Sequence, residues 1–118
     1  LEQTLDKSPL IPYVLDQLAA ENLQSDLRFI EAFIRSRISR GQGYTRIRLD
    51  LKSRGADSAL IDNVLAAADV DWFELAKNTA QLKFGNQHQV DAREKAKRMR
   101  FLQYRGFSFD QIKYALDD

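Results

Sequence analysis

The sequence RGADSALIDNVL, residues 54–65, decides the fold, because RGFSFDQIKYAL follows it 51 positions later at residues 105–116. Both stretches share an Arg-Gly pair, an isoleucine seven positions after the arginine, and a leucine four positions beyond that. A partial third copy, Leu-Ile-x-x-Val-Leu, begins at Leu10. Two capped amphipathic helices can match by chance, but similarity at a fixed period is typical of stacked helical units. The chain is therefore predicted to contain three-helix repeats of about fifty residues.

The sequence on either side of these stretches predicts helices throughout. Apolar residues recur at spacings of three and four, and neither Asn-Gly nor Asp-Gly, the strongest hairpin signals, occurs. Seven helices are predicted, with starts at Ser8, Ser25 or Asp26, Thr45, Asp57 or Ser58, Asp71, Val90 and Ser108, and with stop signals at Gly41 or Gly43, Gly55, Gly85 and Gly106. The expected fold is all-α, with tandem three-helix repeats forming a curved, elongated helical array.

The repeat spacing also predicts how the chain is divided. Residues 26–70 are expected to form the second three-helix repeat, residues 71–118 the third, and residues 1–25 the remnant of a first. The partial copy at Leu10 suggests that the chain starts just before the last helix of that first repeat. Because the chain begins with Leu1 rather than methionine, we expect a fragment or a processed form.

The composition argues against an enzyme or a metalloprotein. The 118 residues include no cysteine and one histidine, so thiolate metal sites, disulfides and histidine-based catalytic pairs have nothing to form from. His88 is expected in a solvated loop, and Gly41-x-Gly43 lacks the lysine of a phosphate-binding loop. Apolar runs are short, and no signal-peptide pattern opens the chain. We expect a non-enzymatic, soluble, cytoplasmic protein with no metal, no cofactor and no membrane partner.

Charge is segregated along the chain, although the net charge is only +1. Residues 28–54 contain eight basic residues against two acidic ones, and residues 77–105 repeat that balance. Such segregation creates a strong local field on a nearly neutral protein. Arginine-rich surfaces suit an acidic protein groove or a nucleic-acid backbone, and charge alone does not choose between them. The candidate partner-binding residues are Arg35, Arg37, Arg40, Arg46, Arg48, Lys52, Arg54, Arg93, Lys97, Arg98, Arg100 and Arg105.

Helical spacing arranges several of these candidates in ridges. Arg48 and Lys52 are four positions apart, so they share one face of a helix. Arg93, Lys97 and Arg100 follow at i, i+4 and i+7 and share a face of another helix. An ordinary solvated face with intrahelical ion pairs is the alternative interpretation for any single residue.

Most aromatic residues lie at helix-repeat positions, so they are predicted to be core residues rather than binding platforms. These residues are Phe29, Phe33, Trp72, Phe73, Phe101, Phe107 and Tyr114. Tyr44 and Tyr104 lie within two positions of an arginine, and each either packs or offers a ring to a base or a partner pocket. Packing is the favoured interpretation for both.

Several longer stretches carry a family resemblance. FIEAFIRSR at residues 29–37 and RGQGYTRIRLDLKSRG at residues 40–55 look like the signature of the RecX family. DVDW at residues 69–72, followed by Ala76, and KRMRFLQYRGFS at residues 97–108 resemble the C-terminal repeat of that family. These stretches cover nearly all of the second and third predicted repeats in the family's order and spacing.

The resemblance implies three tandem three-helix repeats, of which the first two helices of repeat one are missing here. It implies a monomeric regulator that binds the RecA protein filament on single-stranded DNA. The family opposes filament growth and inhibits ATP hydrolysis, strand exchange and the coprotease activity that stimulates repressor self-cleavage. The chain is thereby expected to modulate DNA repair, homologous recombination and the SOS response.

Two other functions stay open on the residues alone. A basic helical nucleic-acid-binding module would grip phosphates, with single-stranded DNA as a partner, and its affinity would fall steeply with salt. A structural scaffold would self-associate through its apolar stripe and would tolerate charge substitutions. Neither alternative requires catalytic residues.

Overall fold

Six α-helices make up the described part of the chain. The computed structural model describes residues 11–86 and 89–117, with side-chain surroundings given for residues 25–86 and 89–116. The helices are α1 (Ile11–Ser39), α2 (Tyr44–Ser53), α3 (Ser58–Ala67), α4 (Trp72–Phe84), α5 (Ala92–Tyr104) and α6 (Phe109–Asp117). No strand occurs among these residues. The predicted all-α fold is confirmed.

The prediction of a new helix at Ser25 or Asp26 is wrong, because α1 runs through both residues without interruption. No glycine or proline occurs between Tyr13 and Arg40, so the backbone hydrogen-bond ladder can continue. Both polar side chains are exposed, where a helix accommodates them easily. The predicted start at Ser8, like the loop position of His88, lies outside the described residues.

Side-chain caps set the starts of α3, α4, α5 and α6, whereas α2 follows Gly43, which has no side chain to cap it. The carboxylates of Asp57 and Asp71 accept hydrogen bonds from the third residue after each, at 3.0 and 3.1 Å, as the sequence predicted. Ser108 and Gln111 form a reciprocal capping box, with bonds of 3.2 and 2.9 Å. Helix α5 begins two residues later than predicted, because the carboxylate of Asp91 accepts the amide bond that caps it.

The six helices form two three-helix units, each with a core of its own. The N-terminal unit (the second half of α1, with α2 and α3) buries Ile30, Ile34, Ile47, Leu51, Ile61 and Leu65. The C-terminal unit (α4, α5 and α6) buries Ala76, Ala80, Leu102, Phe107, Ile112 and Ala115. The molecule, including the first half of α1, extends over 73 × 22 × 19 Å, and the predicted elongated array of repeats is confirmed. Within the described residues, no helix is both long and apolar enough to cross a bilayer.

Backbone hydrogen bonds join the two units at a glycine-rich joint. The N–H of Gly43 donates to the carbonyl of Arg105 at 2.7 Å, and the N–H of Thr45 donates to that of Gly106 at 3.2 Å. A Cβ at Gly43 would lie 2.5 Å from the carbonyl oxygen of Gly106, and a Cβ at Gly106 would overlap Arg46. The backbones therefore approach as closely as they do only because both positions lack a side chain.

Candidate partner-binding surface

Helix α5 presents a stripe of exposed side chains on one face. Arg93, Lys97 and Arg100 are exposed, and none of them forms an ion pair with a described carboxylate. Tyr104 continues the same face one turn further on and is 69% exposed. The opposite face carries the fully buried Leu102, so the amphipathic pattern fixes which side of α5 faces solvent. We call these four residues the α5 stripe.

The C-terminal end of the α5 stripe is held against the N-terminal unit. The guanidinium of Arg46 lies over the ring of Tyr104, 4.8 Å from its centroid, and donates to the carbonyl oxygen of Tyr104 at 3.4 Å. The pKa of Arg46 is raised, first by its hydrogen bond with Tyr104 and then by Asp50, so it stays charged. The stripe is therefore continued by one cation from α2.

Arg48 does not form a free ridge with Lys52. Its guanidinium donates to both carboxylate oxygens of Asp62, at 2.8 and 3.4 Å, and so ties α2 to α3. This pairing raises the pKa of Arg48 and lowers the pKa of Asp62 through the hydrogen bonds between them. Lys52 is exposed and forms no ion pair with a described carboxylate, although its charge also contributes to the lowered pKa of Asp62. Of the two residues, only Lys52 is available to an outside anion.

Asp50 gathers two further candidates. Its carboxylate accepts from Arg37 at 3.1 Å and from Arg46 at 3.3 Å. Arg37 also donates to the side chain of Gln42 at 3.2 Å and lies 4.3 Å from the centroid of the Phe33 ring. The Arg37 side chain is only 17% exposed, so it serves mainly to hold α1 against α2.

Arg98 lies inside the C-terminal unit. It is 8% exposed, its Nε donates to Glu94 at 3.0 Å, and its guanidinium lies 4.9 Å from the centroid of the Phe84 ring. A partner cannot reach this side chain without unpacking α5. The structure therefore separates Arg98 from its neighbour Lys97 in the α5 stripe.

The arginines of the two Arg-Gly pairs that are 51 positions apart, Arg54 and Arg105, donate hydrogen bonds to nearby backbone carbonyls. Arg54 donates to the carbonyl oxygen of Asp50 at 3.1 Å, within its own unit. Arg105 donates to the carbonyl oxygen of Arg40 at 2.6 Å and so bridges the two units. Arg35 and Arg40 are exposed and form no ion pair with a described residue.

The twelve candidates thus fall into two groups. One group holds the fold together through ion pairs, buried contacts or backbone carbonyls: Arg37, Arg46, Arg48, Arg54, Arg98 and Arg105. The other group is exposed and without a described carboxylate partner: Arg35, Arg40, Lys52, Arg93, Lys97 and Arg100. Only the second group offers charge that a partner can neutralise without breaking an internal contact.

Several aromatic residues that were predicted to be buried are exposed in the structure. Phe107 is buried, and Tyr44 packs edge-on against Trp72 with ring centroids 5.7 Å apart. The core prediction is wrong for Phe29, Phe73 and Tyr114, which are 49%, 42% and 37% exposed. Tyr104, for which packing was favoured, is also mostly exposed. Sequence periodicity did not identify these rings as exposed, because a small three-helix unit leaves part of each helix's apolar face uncovered.

Sequence reasoning also missed two surface features. Leu82 is 89% exposed, beside a groove that lies between the two units. Tyr104 extends the α5 stripe, a placement that its spacing of four from Arg100 could have signalled. Among the described residues, no group of side chains is suited to hold a metal ion.

The chain is similar to two family models and to several regulatory proteins. A model described as RecX, second three-helix domain, matches residues 25–65, and one described as RecX, third three-helix domain, matches residues 69–116. The proteins named Regulatory protein RecX from Vibrio vulnificus (strain CMCP6) and Vibrio campbellii (strain ATCC BAA-1116) are each 45% identical to it. These two alignments cover 79% and 80% of this chain and 61% of each relative.

A third relative extends the match. The protein of the same name from Chromohalobacter salexigens is 45% identical over 106 residues, which are 90% of this chain and 69% of the relative. The chain therefore spans about two thirds of the length of the curated relatives it matches.

Proposed function

Because the chain belongs to the RecX family, we propose that it binds the RecA protein filament on single-stranded DNA and restrains it. The proposed effects are inhibition of filament growth, ATP hydrolysis, strand exchange and coprotease activity, and so modulation of DNA repair and the SOS response. The protein acts as a cytoplasmic monomer in this proposal. It carries residues 26–70 and 71–118 as its second and third repeats, and residues 1–25 as the remnant of the first.

The α5 stripe is the observation that supports this proposal most directly. Three cations without a described carboxylate partner stand in line over about two turns of helix, and an exposed tyrosine ends the line. Binding an acidic surface there neutralises charge without breaking an internal ion pair. Tyrosine and arginine also supply much of the binding energy at protein interfaces, where the tyrosine ring is covered.

The glycine-rich joint supports a fixed spacing between the two units. Two backbone hydrogen bonds and the stack of Arg46 on Tyr104 connect α2 to the end of α5. A partner that contacts Lys52 on α2 and Lys97 on α5 therefore meets a surface that is already arranged. Such preorganisation favours affinity because little conformational entropy is lost on binding.

A matched pair of charge reversals tests the proposal. The double variant Lys97→Glu with Arg100→Glu should inhibit RecA's single-stranded-DNA-dependent ATP hydrolysis more weakly. The concentration of the variant needed for half-maximal inhibition should be about tenfold higher or more. Arg28→Glu combined with Lys113→Glu changes the net charge equally on exposed residues outside the candidate set and should have little effect. Circular dichroism should give equal helicity for both variants.

Two results would contradict the proposal. Absence of inhibition by the unmodified chain at stoichiometric amounts would remove the proposed activity for this length of chain. Equal loss in the two double variants would show that net charge, and not the α5 stripe, carries the effect.

The exposed ring of Tyr104 favours a second candidate function, nucleic-acid binding. A ring in line with three cations resembles the stacking platforms on which single-stranded bases rest, with backbone phosphates alongside. This function predicts binding to an oligothymidylate without RecA, and a slope of about −0.7 per phosphate contact in a plot of log affinity against log salt. Tyr104→Ala should then weaken binding to the oligonucleotide more than it weakens filament inhibition.

A further inference from the structure

A groove of about 290 Å³ lies at the junction of the two units. The C-terminal end of α1 forms one wall, the outer face of α4 forms another, and the last turns of α5 close it. Its shape depends on Gly41, because a Cβ there would come within 2.8 Å of the Thr79 hydroxyl. The groove is thus a product of the joint and belongs to neither unit alone.

The groove has an apolar floor and an unusually exposed leucine. Ile38, Leu75 and Phe101 contribute partly buried side chains. Leu82 is 89% exposed, although it lines the same groove. An apolar side chain entering the groove would cover Leu82 and remove its surface from water.

Three cations surround this floor. The ammonium of Lys83 and the guanidinium of Arg105 lie 5.5 and 4.7 Å from the centroid of the Phe101 ring. Arg40 is exposed and forms no ion pair with a described residue. No carboxylate occurs among the side chains that line the groove, so no side chain of the lining neutralises these three cations.

From this combination we infer that the groove binds an acidic protein segment that carries a large apolar side chain. The apolar side chain lies against Leu82 and Phe101, and flanking carboxylates pair with Arg40 and Lys83. A nucleic-acid backbone would pair with the cations, but it would leave Leu82 exposed to water. An acidic peptide with an apolar side chain fits both the cations and the apolar floor. This site is separate from the α5 stripe and does not depend on the function proposed above.

The test uses a short fluorescein-labelled peptide with one leucine-phenylalanine pair between runs of aspartate and glutamate. Its binding to the full chain is followed by fluorescence anisotropy. Replacing the apolar pair by serines, or the carboxylates by amides, should each weaken binding by about tenfold.

Two protein variants locate the site. Leu82→Asp should weaken binding of the acidic peptide by about tenfold or more, because it removes the apolar wall and adds a repelling charge. Leu49→Asp makes the same change at another exposed leucine, outside the groove, and should alter binding by less than about twofold. Both leucines are largely exposed, so neither substitution should unfold the chain.

Three outcomes would overturn the inference. The first is no binding of the acidic peptide up to about 1 mM, the weakest useful affinity for such a site. The second is an equal effect of the two leucine variants. The third is that Leu82→Asp weakens binding of an oligothymidylate while the acidic peptide does not bind, which would assign the groove to nucleic acid.

Discussion

The Arg-Gly turns at residues 54–55 and 105–106 have the same backbone and opposite surroundings. After α2, the N–H of Ala56 donates to the carbonyl of Leu51, and after α5 the N–H of Phe107 donates to that of Leu102 in the same way. Yet a Cβ at Gly55 would meet nothing within 4 Å, whereas one at Gly106 would overlap the N-terminal unit. The same local sequence therefore gives the same turn, and only its neighbour makes one of the turns a joint.

The cores differ at another equivalent pair of positions. Ile47 in α2 is fully buried, and 51 positions later the same place in α5 is taken by Arg98, which is 8% exposed. Arg98 is accommodated because Glu94 and the Phe84 ring lie beside its guanidinium. The C-terminal unit thus has an ion pair where the N-terminal unit has an aliphatic core residue.

The two units should differ most in how much stability a substitution removes at this pair of core positions, Ile47 and Arg98. Ile47→Ala should lower the free energy of unfolding by about 2–5 kcal/mol, because it leaves a cavity where no water enters. Arg98→Leu should change it by less than about 1.5 kcal/mol, because leucine keeps the apolar packing and the Glu94 carboxylate that loses its partner is 35% exposed and stays hydrated. Urea denaturation followed by circular dichroism measures both.

A loss on Arg98→Leu as large as that on Ile47→Ala would show that the ion pair holds the C-terminal unit together. The inhibition of RecA proposed above should be the same for the Arg98→Leu variant as for the unmodified chain, because the Arg98 side chain is not accessible to a partner. Loss of inhibition with normal stability would return Arg98 to the binding surface.

The next largest difference should appear at the two glycines. Gly106→Ala should lower the free energy of unfolding by about 2–4 kcal/mol, since it adds the strain of a positive φ of 97° to overlap with Arg46. Gly55→Ala should lower it by only about 1–2 kcal/mol, because its φ of 85° is strained but its surroundings are open.

Thermal unfolding of the two glycine variants compares them directly. Equal losses would mean that the joint adds nothing to stability beyond the two turns. The Gly106 variant should also weaken the contact between Arg46 and Tyr104, which tyrosine fluorescence can follow.

The smallest difference should appear in the response to acid. The pKa of Asp62 is lowered by its hydrogen bond from Arg48, so this pair stabilises the fold above the ordinary aspartate pKa of about 4. That contribution is lost as the pH falls from the ordinary pKa through the lowered one, because the unfolded chain binds the proton more readily than the folded state does. In the C-terminal unit Met99 and Lys113 occupy the equivalent positions and form no such pair.

Unfolding measured between neutral and acidic pH tests this. Asp62→Asn should reduce the fall in the free energy of unfolding at low pH. Asp26→Asn, at an exposed aspartate with no described ion pair, should leave that fall unchanged. The same slope in both variants would place the acid sensitivity elsewhere.

The local elements were the most predictable part of the molecule. Asp57, Asp71 and Ser108 cap helices as predicted, because a cap depends on a side chain and an amide only three residues away. The predicted helix start at Ser25 or Asp26 was wrong for a related reason. A capping residue favours a helix start only where the backbone leaves the helical conformation, and the backbone stays helical there.

The candidate surface was less predictable. The sequence located the basic segments, but it could not separate Lys97, which is exposed, from Arg98 beside it, which is buried. It also could not show that Arg48 is neutralised by Asp62 from another helix. Partners that lie far apart in sequence are brought together only by packing.

The sequence by itself determined most of the helix starts, the Arg-Gly turns and the repeat of 51 positions, because these depend on dihedral preferences and hydrogen bonds between near neighbours. Only the tertiary structure decided which arginines are free, where the two units meet and that a groove with three cations lies between them. The physical reason is that accessibility and net local charge belong to a surface. They are fixed by how helices from distant parts of the chain exclude water and neutralise one another.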